Sequence, residues 1–465
     1  MRRQVVAAVG LALAVLGSVG PAGPPAHAEL LRLTVADQDF HLLPTDDLRL
    51  SIGLPAGLDA SEVAGATVIV SSHQAIASRA QVTDAIDGSP TRQIDLVRLT
   101  GDQAVLQVDG RWQLQVPTET TTRARAALRL PGPGLYPIRI RLEVRGDPVA
   151  EVVTFVQRLA DPDADEPEPS SMRVAIVADL HTPVALDIDG RTVLDPAAVD
   201  AVNRLAAVLA ASSVPITIGV EPSVVAAMVD GPDADDESRA AVTGLDDALQ
   251  QHELLSATSM PLDPSAAAVT GHGDLYTEWL RDGEDLLAAN LSTTPSRSTM
   301  LIDQPLGDAG GALLRDLGAR LLVLPRDRYD DLPGNIAGFT DLTQLVRLDL
   351  TGGETIDATV VDHGPLTRLA SADASSTAAA VAAVADLLAA RQEVIDRGDD
   401  AADHGLTLGL PDLAVPALDG FAEFTALLAT TPGLEPSNLD DLAVRTGVQL
   451  VDGRPVTADL PTSAA

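Results

Sequence analysis

Five short apolar runs in the second part of the chain each stop at a carboxylate. The acids that follow these runs are Asp179, Glu221, Asp303, Asp362 and Asp412. The carboxyl ends of parallel strands point to the ligand-binding side of a barrel or sheet, so acids at these positions are expected to ring one pocket. Asp and Glu also end strands because they favour turns and cap the next helix, and this alternative stays open.

The five strand-end acids are also candidate catalytic residues. Two carboxylates can hydrolyse a glycosidic bond when one acts as the acid and the other as base or nucleophile. This mechanism needs a pair about 5 to 9 Å apart and a raised pKa for one of them. The same groups can instead accept hydrogen bonds from sugar hydroxyls without catalysis. The sequence does not supply the distance, so both possibilities remain.

Three further polar residues are candidate binding residues near the same strand ends. His181 follows Asp179 by two positions, His363 follows Asp362 directly, and Arg326 lies just past another apolar run. Asp179 and His181 could bind a divalent metal, and Arg326 could hold an anionic ligand group. A catalytic metal needs about three protein ligands and the others are not evident, so we predict no metal and no cofactor. The alternative is that all three are solvated loop residues.

The composition excludes several classes of function. The chain of 465 residues has 67 acidic and 31 basic residues and a net charge of −36, which argues against nucleic acid and anionic lipid as partners. It contains no Cys and no Lys. Thiol nucleophiles, disulfides, Schiff-base chemistry and the lysine of a phosphate-binding loop are therefore ruled out.

The first residues predict an export signal over 1–28. Arg2 and Arg3 precede an apolar stretch from Val5 to Val19, and Ala26-His27-Ala28 is a small-x-small cleavage site. We therefore expect an extracytoplasmic protein, secreted or associated with the cell wall, with no stable membrane span after cleavage. An uncleaved N-terminal anchor is the alternative.

Alternating apolar and polar residues predict a β-sandwich over 29–160. The turn signal Pro131-Gly132-Pro133-Gly134 precedes Leu135-Tyr136 and a long alternating run, an arrangement similar to the late strands of immunoglobulin-like domains. An acidic, Pro-rich linker is expected at 161–171.

From 172 to 432 the pattern changes to alternating strands and helices. About seven such units predict an α/β irregular, seven-stranded barrel, with an open doubly wound sheet as the alternative. The segment 433–465 is a last strand or a tail. Helical spacing of Tyr276 with Trp279, and of Phe421 with Phe424, favours core packing for both aromatic pairs.

The barrel region resembles the polysaccharide deacetylase and related glycoside hydrolase superfamily. Asp179 ends the first strand, where that family has an Asp-Asp pair, and Asp303-Gln304-Pro305-Leu306-Gly307 keeps the Pro and Gly of an Arg-x-Pro-x-Gly motif but has Asp in place of Arg. Ala257 and Met260 stand about where the family has its two histidine ligands. The resemblance therefore implies the scaffold of that family without its metal site.

The whole chain also resembles a group of uncharacterised exported actinobacterial envelope proteins, through its domain order and the segment Ser259-Met260-Pro261-Leu262-Asp263-Pro264. That resemblance implies no established activity. We predict a non-catalytic or degenerate deacetylase-like barrel that binds a cell-wall glycan or peptidoglycan-type ligand. The alternatives are a glycoside hydrolase and a module that binds another envelope protein.

Overall fold

The structure is a computed structural model that describes residues 30–54, 65–99, 103–120, 127–162, 170–180, 185–186, 188, 192–332, 341–369, 375–410, 418–451 and 453–462. The predicted signal peptide, most of the acidic linker, His181 and Asp412 lie outside these residues. The described chain has more than one domain and combines β-sheets with helices. None of its described helices is both long and apolar enough to cross a membrane.

The first domain consists of two sheets. One has the strand order β1-β11-β10-β5-β6 with β3 beside β11, and the other has the order β2-β4-β8-β7 with β9 beside β8. The long pairs are antiparallel. The strands are β1 (Leu31–Arg32), β2 (Thr34–Gln38), β3 (His41–Leu42), β4 (Asp47–Gly53), β5 (Thr67–His73), β6 (Gln93–Leu99), β7 (Ala104–Leu106), β8 (Arg111–Glu119), β9 (Leu128–Arg129), β10 (Gly134–Val144) and β11 (Asp147–Arg158).

The alternating residues of these strands form one core between the two sheets. Leu48, Leu50 and Ile52 of β4 are buried in the same apolar cluster as Ile138 and Ile140 of β10. Complete burial of such a side chain contributes about 1.5–3 kcal/mol. The predicted strands are confirmed, and the sequence between β5 and β6 adds the helix α1 (Arg79–Ile86), which Ser78 caps.

The second domain is built on a mixed sheet of ten strands, most of which pair in parallel. Seven of them pair in parallel in the order β16-β15-β12-β21-β20-β18-β17. We call these seven the ring strands, because the two strands at the ends of this order, β16 and β17, follow each other in the chain. The strands of this domain are β12 (Met172–Leu180), β13 (Ala185–Leu186), β14 (Thr192–Val193), β15 (Ile216–Val220), β16 (Glu253–Leu254), β17 (Thr299–Leu301), β18 (Leu321–Leu324), β19 (Val346–Asp349), β20 (Thr355–Asp362), β21 (Gly405–Gly409), β22 (Leu434–Ser437), β23 (Leu450–Val451), β24 (Arg454–Pro455) and β25 (Thr457–Asp459).

Between β16 and β17 the described residues form an isolated parallel bridge, from Leu255 to Ser296, rather than a ladder. Backbone hydrogen bonds of 2.8 Å from Ser256 N to Ser296 O and from Ser296 N to Leu254 O hold this seam together. Apart from this bridge, β16 and β17 are not paired, so the described residues do not form a closed barrel.

Helices follow most of the ring strands, as the sequence pattern predicts. The helix from Pro196 to Ala211 is one example: Asp195 caps it, and proline occupies its first position, where no backbone N–H is needed. The helices are α2 (Pro196–Ala211), α3 (Pro222–Asp230), α4 (Asp236–Leu249), α5 (Pro264–Val269), α6 (Gly273–Asn290), α7 (Asp308–Asp316), α8 (Arg326–Asp330), α9 (Gly364–Leu369), α10 (Ser376–Asp396), α11 (Leu418–Thr430) and α12 (Leu439–Arg445).

Both faces of the ring strands are buried, because successive residues of a strand point to opposite sides. On β12, Val174 and Ile176 join the large cluster that contains the helices, whereas Ala175 and Val177 join the cluster inside the ring. Leu439 of α12 belongs to the inner cluster. At the carboxyl ends of the ring strands, the side chains of this inner face border an opening. We call this opening the mouth.

The two domains share one apolar cluster. Phe40, Val82 and Phe155 of the first domain are buried together with Val381 and Val384 of α10. The first domain is therefore packed directly against a helix of the second.

Candidate functional site

Three of the predicted strand-end acids converge at the mouth. Asp179, Glu221 and Asp303 line one cavity of about 140 Å³, which we call the acidic cavity. A fourth carboxylate, Asp263, lines it as well. The structure therefore brings three of the five strand-end candidates together around one space.

The alternation of the strands explains how these side chains reach the cavity. Asp179 continues the inward-facing series of Ala175 and Val177 on β12. Asp303 lies two residues beyond Leu301, which packs against the same inner cluster. Glu221 comes directly after β15, before Pro222 starts α3, and its side chain makes no capping hydrogen bond to that helix.

A glycine makes room for Asp179. Gly219 is the β15 partner of Asp179 in the parallel pairing with β12. A Cβ atom at position 219 would lie 2.9 Å from Oδ1 of Asp179 and 2.8 Å from Cδ1 of Leu301. Any other residue at 219 would therefore compete with the carboxylate for space in the acidic cavity.

The other walls of the acidic cavity combine apolar groups with the hydroxyls of Ser256, Thr258 and Tyr276 and the amide of Gln304. Tyr276 is 6% exposed, and burial, together with the nearby charges of Asp263 and Asp303, raises the pKa of its phenol to about 12. This phenol therefore stays protonated and available as a donor at neutral pH. Ser256 is 5% exposed, and its hydroxyl has no hydrogen-bond partner among the described residues.

A second, wider space of about 490 Å³ opens at the same mouth, and we call it the open cleft. Asp179 and Asp303 line it too, so they stand where the two spaces meet. The remaining lining is apolar except for one imidazole and consists of Val177, Leu301, Ile302, Val323, Pro325, Val361, His363, Gly409 and Leu410.

His363 is held in the open cleft by the backbone of β21. Its Nδ1 donates a hydrogen bond of 3.0 Å to the carbonyl of Gly409, which leaves Nε2 as the acceptor of the neutral ring. A Cβ at position 409 would lie 2.6 Å from Cε1 of His363 and 2.3 Å from Cγ1 of Val361. A second inward-facing glycine thus makes room for a second predicted site residue.

Asp362 does not line the mouth, although the sequence places it with the other strand-end acids. Its carboxylate forms an ion pair with Arg79 of the first domain at 2.6 Å. The same guanidinium donates to Asp386 of α10, also at 2.6 Å. Because His363 points inwards, its neighbour on the strand must point outwards. The structure therefore assigns Asp362 to the contact between the domains.

Arg326 is also separate from the mouth in the described structure. It opens α8, where its Nε lies 3.0 Å from Oδ1 of Asp330 and its guanidinium lies 5.6 Å from the ring centre of Tyr329. It lines neither the acidic cavity nor the open cleft. These contacts are those of a residue that stabilises its own short helix.

The remaining predicted site residues, His181 and Asp412, lie outside the described residues. Within the described part of the chain, no group of three or more His, Cys, Asp or Glu residues could hold a metal ion. The absence of a metal and of a cofactor stays a prediction.

His252 and Glu253 are adjacent residues of types that can bind metals, but their side chains make hydrogen bonds within the fold. The backbone N–H of Ile216 donates to Nδ1 of His252, so Nε2 carries the proton and donates to the carbonyl of Leu209, both at 3.1 Å. Glu253 accepts hydrogen bonds from the Thr217 hydroxyl at 2.7 Å and from the Leu439 N–H at 3.3 Å.

Sequence reasoning missed Asp263, Ser256 and the role of Tyr276. Tyr276 is buried, as its helical spacing indicates, but it also lines the acidic cavity. Phe421 and Phe424 are both fully buried, which confirms that pair as core. Asp263 precedes a proline and caps α5, a pattern that on its own indicates only a helix start.

No protein-family model and no curated protein matches the chain. Solved structures similar to it include the α-amylase AmyC from Thermotoga maritima, with 8% identity, 63% of this chain and 77% of that chain covered, and a TM-score of 0.44. A probable polysaccharide deacetylase from Pseudomonas aeruginosa PAO1 has 11% identity and a TM-score of 0.37, and the match covers 60% of this chain and 94% of that chain. PuuE allantoinase has 12% identity and a TM-score of 0.36, and the match covers 60% of this chain and 93% of that chain. All three TM-scores lie below 0.5, so the function of this chain must be argued from its own residues.

Proposed function

We propose that the mouth binds a glycan of the cell envelope. The supporting observation is that Asp179 and Asp303 line both the acidic cavity and the open cleft. A sugar at their junction would find carboxylate oxygens for its hydroxyls and the Tyr276 hydroxyl as a donor. The aliphatic walls of the open cleft would cover the apolar face of the next sugar ring.

Binding without hydrolysis is favoured over catalysis. A carboxyl group that acts as general acid is normally buried, because burial raises its pKa. Asp179 and Asp303 are both exposed to solvent. Glycoside hydrolysis is the second candidate function, since two carboxylates that line the same cavity meet one requirement of that mechanism.

We also propose where the protein acts and how its chain is divided into domains. The charged and apolar pattern of 1–28 supports export, and hence a role in the envelope, as a secreted or cell-wall-associated protein. We place the domain boundaries near residues 160 and 172 and regard the second domain, up to about 432, as an irregular seven-stranded barrel resembling a degenerate deacetylase. The residues from 433 to 465 would then supply α12 and the last short strands.

We further propose an immunoglobulin-like topology for the first domain. Its support is the contact between Tyr136, near the start of β10, and the turn that precedes this strand. The Tyr136 hydroxyl donates to the Gly132 carbonyl at 2.8 Å and accepts from the Gly132 N–H at 3.1 Å. A tyrosine that bonds back to the backbone a few residues upstream is typical of that fold.

The test is a titration of the purified mature protein with peptidoglycan disaccharides and chitin oligosaccharides, followed by calorimetry. The double variant Asp179→Asn, Asp303→Asn should lose at least about tenfold in affinity, or about 1.4 kcal/mol. The matched control Asp109→Asn, an exposed acid of the first domain, should bind as the wild type does. Absence of saturable binding to any of these glycans overturns the proposal. Release of reducing ends by the wild type, lost in the double variant, would favour hydrolysis instead.

A further inference from the structure

Ser256 lies in the wall of the acidic cavity, on a segment whose backbone the fold holds in place. The backbone N–H of Leu255 donates to the carbonyl of Ile218 on β15, and the N–H of Ser256 donates to the carbonyl of Ser296, both at 2.8 Å. These two bonds fix the chain on either side of the Ser256 side chain. The position of its hydroxyl is therefore set by the ring strands before any ligand binds.

Helix α6 supports the residues that follow Ser256. The Ser259 N–H donates to the carbonyl of Trp279 at 2.8 Å. A Cβ at Gly283 would overlap the carbonyl oxygen of Ala257, so the helix backbone packs directly against this segment. A side chain on a segment supported in this way keeps one geometry for a ligand.

The Ser256 hydroxyl is not used by the described fold. Ser256 is 5% exposed, and its Oγ has no hydrogen-bond partner among the described residues. Buried hydroxyls in folded proteins are normally hydrogen-bonded, so an unpaired one in a cavity wall is explained when a bound group supplies the partner. This observation is independent of the charges in the cavity.

The neighbouring side chains determine which kind of partner fits. Asp263 and Asp303 line the same cavity, and carboxylate oxygens accept hydrogen bonds. A sugar hydroxyl can accept from Ser256 and donate to a carboxylate at the same time, whereas an ether or ester oxygen can only accept. A free hydroxyl therefore suits this mixed lining better than a substituted one.

We infer that Ser256 binds the glycan directly, by donating a hydrogen bond to a free hydroxyl of the sugar unit that enters the acidic cavity. This inference rests on the proposed function and adds one binding residue and the ligand group that it recognises. The cavity of about 140 Å³ is similar in size to one that holds a benzene ring, so it admits part of one sugar unit.

The variant Ser256→Ala removes the hydroxyl, and Ser437→Ala is its matched control. Ser437 is 7% exposed, its hydroxyl is also unpaired among the described residues, and it lines neither the acidic cavity nor the open cleft. Calorimetric titration with chitotetraose and with a peptidoglycan disaccharide should show a loss of about threefold to tenfold in affinity for Ser256→Ala and no loss for Ser437→Ala. The urea midpoint of Ser256→Ala should not fall, because the variant breaks no described hydrogen bond of the free protein.

Deoxygenated ligands identify the partner of Ser256. Analogues of the more tightly bound of the two glycans, each lacking one hydroxyl, are titrated against the wild type and Ser256→Ala. The wild type should bind one of them about tenfold more weakly than the parent glycan, since a site built to bond a hydroxyl rejects an analogue without it. Ser256→Ala should discriminate less against this analogue, because the same hydrogen bond is already missing.

Three results overturn the inference and leave glycan binding intact. The first is equal affinity of Ser256→Ala and Ser437→Ala for the glycan that the wild type binds. The second is a set of deoxygenated analogues that the wild type and Ser256→Ala discriminate to the same extent. The third is a lower urea midpoint for Ser256→Ala, which would show that the hydroxyl supports the fold. Absence of saturable binding of both glycans by the wild type removes the proposed function as well.

Discussion

Gly219 lies directly opposite Asp179 in the parallel pairing of β15 with β12. The position that a Cβ would take at 219 is 2.9 Å from the Asp179 carboxylate and 2.8 Å from the Leu301 side chain. Contacts below 3.0 Å to a Cβ essentially never occur in proteins. The missing side chain at 219 is therefore what allows Asp179 to lie at the junction of the acidic cavity and the open cleft.

The variant Gly219→Ala should weaken glycan binding at least tenfold, because the added methyl displaces Asp179 or Leu301. Inserting a methyl into a packed interior also costs about 1–3 kcal/mol of unfolding free energy. Calorimetric titration measures the affinity, and urea denaturation measures the stability.

A matched control uses the exposed glycine of α4. A Cβ at Gly244 would meet nothing within 4 Å, so Gly244→Ala should leave binding unchanged. It should raise stability by about 0.5–1 kcal/mol, since alanine is the better helix former. If Gly219→Ala binds the glycan as tightly as Gly244→Ala does, the steric argument for Gly219 is wrong.

The sequence predicted the strand-end acids of the mouth because each one ends a short apolar run, and the ring of parallel strands confirms the alternation from which they were inferred. It misplaced Asp362, because the apolar run before it does not reveal which face of β20 points inwards. On a strand, a shift of one residue exchanges the two faces. The inward face is decided by tertiary contacts, here the ion pair of Asp362 with Arg79.

Other parts of the site depend on contacts between segments that are distant in sequence. Asp263 and Tyr276 reach the acidic cavity from the loop and helices that follow β16, and no local spacing relates them to Asp179. The inward glycines offered a usable signal. Gly219 and Gly409 each stand within an apolar strand, where a glycine indicates close approach of another group.

Removal of the guanidinium at position 79 should destabilise the protein. Arg79 lies between Asp362 and Asp386, and the Asp386 side chain is only 2% exposed. Among the described residues, the variant Arg79→Ala leaves Asp386 with the more distant Arg368, at 3.5 Å, as its remaining cation. Breaking a buried ion pair in this way costs about 3 kcal/mol, which chemical denaturation at neutral pH measures.

The exposed ion pair of Arg111 with Asp109 provides the comparison for Arg79. Both side chains are more than half exposed, so Arg111→Ala should change the unfolding free energy by less than about 1 kcal/mol. Similar losses for Arg79→Ala and Arg111→Ala would show that the contact between the domains does not depend on this network.

Acid should destabilise the protein through its buried imidazoles. Burial lowers the pKa of His252 below its ordinary value of 6.5, as it does for His41, His73 and His404. A lowered pKa in the folded state means that the unfolded chain binds the proton more tightly, so stability is fully present above about pH 6.5 and is lost as the pH falls below it. Denaturation at pH 7.5 and pH 5.5 measures the loss.

The variant His252→Asn isolates one of these groups. Asparagine retains an acceptor for the Ile216 N–H but does not titrate, so the variant should lose less stability than the wild type between pH 7.5 and pH 5.5. An equal loss in the two proteins would mean that His252 does not contribute to the acid sensitivity.

Glu253 should have the opposite dependence on pH. Burial raises its pKa above the ordinary value of 4.5, and the neighbouring carboxylate of Asp440 raises it further. Because the folded pKa is the higher one, the contribution of Glu253 is present below about pH 4.5 and is lost as the pH rises through the folded pKa. The variant Glu253→Gln keeps an acceptor for Thr217 and Leu439 without the charge.

Glu253→Gln should therefore be more stable than the wild type at pH 7.5, and this advantage should shrink towards pH 4. Glu278→Gln, at an exposed position of α6, should differ from the wild type by less than about 0.5 kcal/mol at both pH values. Urea denaturation of the three proteins at the two pH values makes the comparison. If Glu253→Gln is less stable than the wild type at pH 7.5, the ionised carboxylate stabilises α12 against the ring, and the repulsion with Asp440 is not the dominant interaction there.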